Sequence, residues 1–290
     1  MTLYRNRQAV LATKHHKEKA IAGPMRDVLG LSVVVPPGLD TDLLGTFSGE
    51  VERKGTPSAV VVDKARFGMA EAGLGLGIAS EGSFRPHAEL SFAVGCHELM
   101  AFVDDEEGLV VVEDLFTLDT NFANAKARTP GDLGDFLKRV GFPAHALIAV
   151  PNDRIRIDHD DRVRLVLEEV PEQQLYKGLE DNAALAQAVE RCAALSADGL
   201  AHVETDMRAH LNPTRMRTIA ALAVRLARRL ATTCPACGSP GWGRVAAQWE
   251  RGADGGLIAV RETMGCARCA HRESMSDVSP PSTVAPSRSG

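Results

Sequence analysis

Aromatic residues are scarce in this sequence: Phe, Trp and Tyr make up 4% of 290 residues. That scarcity argues against a surface that reads nucleic acid by stacking bases. Excess positive charge is also missing. Lys and Arg number 33 against 38 Asp and Glu, a formal net charge of −5, so no global field draws the chain to phosphate backbones or anionic membranes. Any anion site must be local. Long apolar runs are absent too. The first one soon meets Lys14, His15, His16 and Lys17, too short for a signal-peptide core or a bilayer span. The expectation is a cytoplasmic protein with no membrane partner. Six cysteines are too few for a disulfide scaffold at this length. What is present, 44% apolar and 24% charged residues, fits a globular chain with a substantial core.

The patterning alternates strand and helix. Gln8 to Thr13 reads as a buried strand, and Glu18 to Leu29 has helical spacing with a start or kink expected at Gly23-Pro24. Leu31 to Val35 reads as a second strand, Thr56-Pro57 as the capped start of a helix to about Ala72, and Leu74 to Ser80 as a third strand. A hairpin follows, Leu99–Val103 with Leu109–Val112. Thr129-Pro130 opens a helix to Val140, and Ala146–Val150 is a strand. A second hairpin surrounds His159-Asp160-Asp161. A helix from about Glu180 to Leu195, a strand from Leu200 to Thr205 and a long helix from Asn212-Pro213 to about Ala231 complete the run. This order predicts an α/β fold: a mixed sheet core with flanking helices, plus a C-terminal zinc ribbon. The expected division is a core over 1–232 (lobes 1–126 and 127–232), a ribbon over 233–275 and a disordered tail over 276–290.

The ribbon rests on two CxxC pairs, Cys234/Cys237 and Cys266/Cys269, each able to place two thiolates on one ion and together completing a tetrahedron. Strand-like Val245–Trp249 and Leu257–Arg261 lie between them. His271 in place of Cys269, and four buried free thiols, are the competing readings. Four thiolates leave no open position for water, so the zinc would be structural.

The polar stretch Glu204-Thr205-Asp206-Met207-Arg208-Ala209-His210-Leu211-Asn212-Pro213-Thr214-Arg215-Met216 ends a strand and opens the long helix. Two-residue spacing puts Glu204 and Asp206 on one face, at the strand end where open α/β sheets hold ligands. They could bind a metal while Arg208, Asn212, Arg215 and the first helical amides bind phosphate. The structural alternative pairs Glu204 and Asp206 with Arg208 and Arg215 and leaves Asn212 a plain cap. Arg217, Arg225 and Arg228 share a face opposite Ile219, Leu222, Ala223, Leu226 and Leu230, a solvated face over a core stripe.

Nearer the N-terminus, Thr13-Lys14-His15-His16-Lys17 follows the first strand, Asp40-Thr41-Asp42 and Gly45-Thr46-Phe47 the second, and Ser80-Glu81-Gly82-Ser83 the third, with His87 beyond. Three strand ends each delivering polar groups suggest one shared site. His97 and Cys96 read as a core pair, and Cys192 as part of a helix's apolar stripe.

The 204–216 stretch, the Cys-Pro-x-Cys ribbon, Ala79-Ser80-Glu81-Gly82-Ser83-Phe84 and the Asp40 and Gly45 segments together resemble an uncharacterised bacterial family, a domain of unknown function. Residues 9–84 are similar in layout to the non-canonical nucleoside triphosphate pyrophosphatases. That resemblance implies magnesium-dependent hydrolysis of a nucleotide, with Thr13 in the phosphate turn. His15 stands where those enzymes have asparagine, Glu18 where they have lysine, and Ser80-Glu81 where they have two aspartates.

The combined expectation is a magnesium-assisted hydrolase of a phosphorylated, nucleotide-like small molecule. Glu81, Glu204 and Asp206 would hold metal, Thr13, Lys17, Arg208, Asn212 and Arg215 would hold phosphate, and His15 or His210 would be the general base. The alternative is a non-enzymatic module whose ribbon and arginine face bind nucleic acid or protein.

Overall fold

A computed structural model describes residues 3–39, 56–86, 94–157, 163–164, 170–251 and 257–276. Asp40-Thr41-Asp42, Gly45-Thr46-Phe47, His87, the 159–161 turn and the segment after Ser276 lie outside the described residues.

The first strands are short and apolar. β1 (Gln8–Ala12) is followed by α1 (Glu18–Leu29), β2 (Ser32–Val34), α2 (Pro57–Ala72) and β3 (Leu76–Pro86). β1 pairs in parallel with both β2 and β3. β4 (Val94–Asp104) and β5 (Leu109–Thr117) then add an antiparallel meander, giving the order β2-β1-β3-β4-β5. Four of the five side chains of β1 are buried, all but Gln8, because alternate residues enter opposite cores. Ala9 and Leu11 pack with α1, while Val10 and Ala12 pack against α2. The connection β1→β2 thus runs over one face and β2→β3 over the other, so the winding of the connections reverses between the parallel neighbours β1 and β3. In open α/β sheets this reversal leaves a crevice at the carboxyl ends of the two strands.

Pro24 lies inside α1 without ending it, since the helix runs unbroken to Leu29 with Gly30 as its left-handed cap. Burial of Ile21, Met25 and Leu29 in the shared core outweighs the missing hydrogen bond. β3 is longer than its pattern predicts, because it pairs with β4 from Leu76↔Asp104 to Pro86↔Val94. Ser80-Glu81-Gly82-Ser83 therefore continues the strand instead of following it.

α2 approaches the sheet closely at two glycines. A Cβ on Gly68 would sit 3.0 Å from that of Ala12, and one on Gly77 would sit 2.6 Å from Met69 Cγ and 2.9 Å from the Ala65 carbonyl oxygen. Met69 can swing away but a helix carbonyl cannot. Gly77→Ala is expected to lower stability by about 1–3 kcal/mol, read as a lower urea midpoint at unchanged slope.

A second, antiparallel sheet follows. β6 (Asn124–Ala127) leads to a 3-10 turn, Pro130–Leu133, which Thr129 and Asp132 close as a capping box. α3 (Gly134–Val140), β7 (Leu147–Pro151), the minor pair β8 (Arg156–Ile157) and β9 (Val163–Arg164), β10 (Tyr176–Leu179), α4 (Asn182–Leu195) and β11 (Ala201–Thr205) complete it. Its order is β10-β7-β11-β6. α4 contributes Leu185, Ala188, Val189 and Cys192 to this core.

The chain then returns to the first sheet. α5 (Pro213–Ala231) is capped by Asn212, whose side chain accepts the Arg215 N–H. Its stripe of Ile219, Leu222, Ala223, Leu226 and Leu230 is buried against α1 and the sheet, each large member contributing about 1.5–3 kcal/mol. Finally β12 (Gly243–Arg251), β13 (Leu257–Gly265) and β14 (Arg272–Ser276) form an antiparallel ribbon. Its third strand comes after the second cysteine pair. The α/β architecture holds as the sequence predicts. No helix among the described residues is long and apolar enough to cross a membrane.

Candidate functional site

The C-terminal site is built from two knuckles. Gly238 and Ala270, each just after the second cysteine of its pair, adopt left-handed φ values of 71° and 57°, turning the backbone back on itself. In the second knuckle the amides of Arg268 and Cys269 point at Cys266 Sγ from 3.3 and 3.4 Å. The four sulfurs lie within 4.8 Å of one another, with Cys234–Cys269 at 3.8 Å and Cys237–Cys266 at 3.7 Å. A tetrahedron with metal–sulfur bonds of about 2.3 Å has sulfur–sulfur edges of about 3.8 Å, so the residues fit a metal ion such as zinc. Electrostatics agree. The hydroxyl and amide of Ser239 pull the Cys237 thiol down to about 6. The His271 amide favours the Cys269 thiolate, yet the sulfurs of Cys237, Cys266 and Cys234 drive its pKa up to about 12. His271 is turned away, stacked on Trp242 with ring centroids 5.5 Å apart and bonded to Glu273.

At the other end of the molecule, the carboxyl ends of β1 and β2 border a cavity of ≈ 310 Å³ lined by Thr13, Lys14, His16, Glu18, Val35, Pro36, Gly38 and Leu39. Its wall is the turn between β1 and α1. His16 there holds a left-handed backbone, φ 53°. This is an uncommon conformation for a non-glycine residue and is enriched where function demands it. His16 Nδ1 lies 3.2 Å from Glu18 Oε1, a carboxylate–imidazole pair that fixes ring orientation. Across from it, the loop between β11 and α5 brings His210. Its ring stacks on His15 at 5.3 Å and meets His16 edge-on at 5.6 Å. Partial burial, with help from Arg208 and His16, holds the His210 pKa below its usual value, so it is neutral at pH 7. The N-terminal turn and the 204–215 stretch therefore meet, at three imidazoles.

Behind this rim lies a buried polar core. β1 ends at Ala12, level with Ala79, so Ser80 projects where its β1 neighbour has given way to the turn. Lys17 Nζ fills that space, 3.0 Å from both the carbonyl oxygen and Oγ of Ser80. On the α2 side Lys64 pairs with Glu81 at 2.6 Å. On the α5 side Arg215 pairs with Glu98 at 2.6 Å, donates to the Met207 carbonyl and lies over the Phe84 ring at 5.5 Å. Burial above all, then the charge of Arg215, lowers the Lys17 pKa to about 7 against the opposing pull of Glu98. Lys64 lowers it further and Glu81 opposes. Glu98 Oε2 finds no hydrogen-bond partner among the described residues.

Several expectations are corrected here. Glu81, Glu204 and Asp206 do not converge on a metal. Glu81 holds Lys64, Glu204 accepts from His202 Nε2 at 3.1 Å, and Asp206, past the end of β11, holds Arg208 and the Gly178 amide. Glu204 and Asp206 part company because the strand stops between them. Among the described residues, the four cysteines are the one such cluster suited to a metal. Arg208 and Arg215 are engaged by Asp206 and Glu98, and Asn212 is a cap that also reaches Asn121. Thr13 is buried and accepts the His15 amide. On the arginine face of α5, Arg225 shares Glu113 with Arg229, whereas Arg228 is exposed and Arg217, 3.8 Å from Asp119, is largely so. Cys96 is buried, but His97, its neighbour on the opposite face, pairs with Asp114 at 3.1 Å.

The sequence reading missed Lys64, Glu98 and the His16–Glu18 pair. Glu98 had a signal, a lone carboxylate inside the apolar run of β4. Lys64 likewise interrupts the apolar face of α2.

No curated protein matches the chain. The sequence profile of the family described as "Domain of unknown function (DUF6671)" matches residues 64–274. That span takes in Lys64, Ser80, Glu98, the 204–216 stretch and all four ribbon cysteines. The chain therefore belongs to this family of unknown function, DUF6671.

Proposed function

We propose that the chain is a hydrolase of a phosphorylated, nucleotide-like small molecule, bound at the carboxyl ends of β1 and β2, and that its four-cysteine site holds structural zinc. The observation that carries the first part is the meeting of the His15, His16 and His210 rings, with His16 lining the cavity. Such a cluster can take up and return protons near neutral pH. Lys14 and the start of α1 add positive potential on the same wall, suited to a phosphate. Glu18 keeps His16 oriented, and His16 is the proton donor toward a leaving alkoxide. Any magnesium would come with the phosphates of the substrate, since the three carboxylates named for it are engaged elsewhere. A nucleic-acid surface is disfavoured by the Glu113 pairing of Arg225 and Arg229.

The test is phosphate release from a panel of nucleotides and sugar phosphates, with and without magnesium. The expected result is turnover of at least one, reduced about 10²–10⁴-fold by His16→Gln. Absence of release from the whole panel, or full activity in both His16→Gln and His210→Gln, overturns the reading.

A further inference from the structure

We infer that Ser80 is a nucleophile and Lys17 its general base, so that this site works through a covalent seryl intermediate. The inference rests on the hydrolase reading for the identity of the transferred group, phosphoryl, but the nucleophile itself stands on separate geometry.

Serine hydroxyls in buried sheets ordinarily bond to backbone groups. Ser80 instead faces an amine, with Oγ 3.0 Å from Lys17 Nζ, the separation at which a base takes a hydroxyl proton. The remaining contact of Lys17 is compatible with that role. A neutral amine has two N–H donors and one lone pair, so one N–H donates to the Ser80 carbonyl while the lone pair accepts Oγ–H. The surroundings maintain neutrality. Lys17 is 6% exposed, and the ionisable groups facing it are Arg215 from α5, Glu98 from β4, Lys64 from α2 and Glu81 from β3. Each carboxylate is already bound to one of the two other cations. A charged Lys17 would thus be the third buried cation against two anions. Position completes the case. Ser80, 1% exposed, lies at the β1–β3 reversal, one residue beyond the Ala12↔Ala79 pair, and Thr13, the residue after Ala12, lines the cavity.

The chemistry balances without any further reactant. Ser80 Oγ attacks phosphorus and forms the Oγ–P bond as Lys17 Nζ takes the hydroxyl proton. The bond from phosphorus to the ester oxygen breaks, and the departing alkoxide takes a proton from the His16 imidazolium. Water then attacks the phosphoserine and gives its proton to neutral His16. The Oγ–P bond breaks and Lys17 returns its proton to Oγ. The sum is ester plus water to alcohol plus phosphate, with both residues restored. The same dyad is the arrangement used by Ser–Lys acyl-transfer enzymes, so acyl esters are the competing substrate class.

The test uses the full chain and a small alkyl fluorophosphonate, which phosphonylates activated serines, with the modified residue located by peptide mass spectrometry. Expected are labelling of Ser80, a rate that rises with pH through about 7 as Lys17 loses its proton, and loss of at least 100-fold in rate in Lys17→Met. Wild-type protein in which Ser80 stays unlabelled overturns the inference whatever the variants do. So does a pH-independent rate at Ser80, or a Lys17→Met variant that folds and labels at the wild-type rate. Phosphate release without Ser80 labelling would remove the nucleophile and leave the hydrolase reading. Labelling of Ser80 with no phosphate release would do the opposite, and turnover of acyl esters would then name the substrate class.

Discussion

Chelation of the metal, or Cys234→Ser, is expected to unfold the ribbon and leave the two sheets standing. The hydrophobic support of this ribbon is minimal. Among its described side chains the buried apolar cluster is Cys234, Trp242 and Cys266, with Met264 packed against them, far less than a structure of this size needs to fold unaided. The expectation is that a metal ion at the four cysteines holds the three strands. Structural zinc bound by short cysteine motifs carries an apparent binding free energy on the order of 10–16 kcal/mol at pH 7, so nearly all ribbon stability should vanish with it. The readout is selective, because both tryptophans of the chain, Trp242 and Trp249, belong to the ribbon. Purified protein should contain one zinc per chain by elemental analysis. Removal of that zinc should red-shift tryptophan emission while most far-UV dichroism persists, because the α1–α5 and α4 cores contain no ribbon cysteine. Metal-free protein with unchanged emission would refute both the occupancy and the structural role. Of the docking contacts, Arg268 with Glu107 is an exposed ion pair worth about 1 kcal/mol or less, and the largely buried Arg229 donates to the Gly241 carbonyl, a hydrogen bond worth about 1.5–3 kcal/mol at most. They orient the ribbon and do not fold it.

Local chemistry made part of this molecule readable and long-range pairing hid the rest. The bounds of α1, α2 and α5 follow from signals within four residues of each end: Gly30 after Leu29, Thr56-Pro57, Asn212-Pro213. The cysteine cluster was legible because CxxC spacing fixes two ligands of a metal at once. The carboxylates were misread for the complementary reason. Period-two spacing puts Glu204 and Asp206 on one face only while the strand continues, and β11 ends at Thr205. Lys17 and Ser80 are 63 residues apart, Glu98 and Arg215 are 117 apart. Nothing local in Thr13–Lys17 announces that its lysine will turn inward, since a basic turn usually faces water. The decisive fact is the reversal of winding between β1 and β3, which depends on α1 and α2 lying on opposite faces. That placement is a property of packing, not of any single segment.

Arg215→Met is expected to cost about 3–5 kcal/mol, more than any other single substitution in the α/β core, because it strands a charge. Glu98 is 0% exposed and one of its two carboxylate oxygens already lacks a partner. Removing the guanidinium leaves the other without its 2.6 Å ion pair, and an unpaired buried carboxylate is penalised by that amount. Methionine fills much of the same volume against Phe84, so lost packing is a minor part of the change. The pair itself contributes little net stability, since desolvating two ions consumes most of their attraction. The two statements are reconciled by a double variant. Glu98→Gln with Arg215→Met removes both charges and should recover at least half of the loss, a coupling energy of about 1.5 kcal/mol or more. Urea denaturation of the wild type, both single variants and the double variant closes the cycle. A loss under about 1 kcal/mol in Arg215→Met, or a double variant no more stable than the single, would show that Glu98 is not an isolated buried charge. The magnitude also bears on the site. Arg215 joins β4, the Met207 carbonyl and the Phe84 ring, so the same contact that balances Glu98 fixes the loop carrying His210 against the sheet carrying Ser80. A residue so placed sets the spacing between the imidazole rim and the Lys17–Ser80 pair.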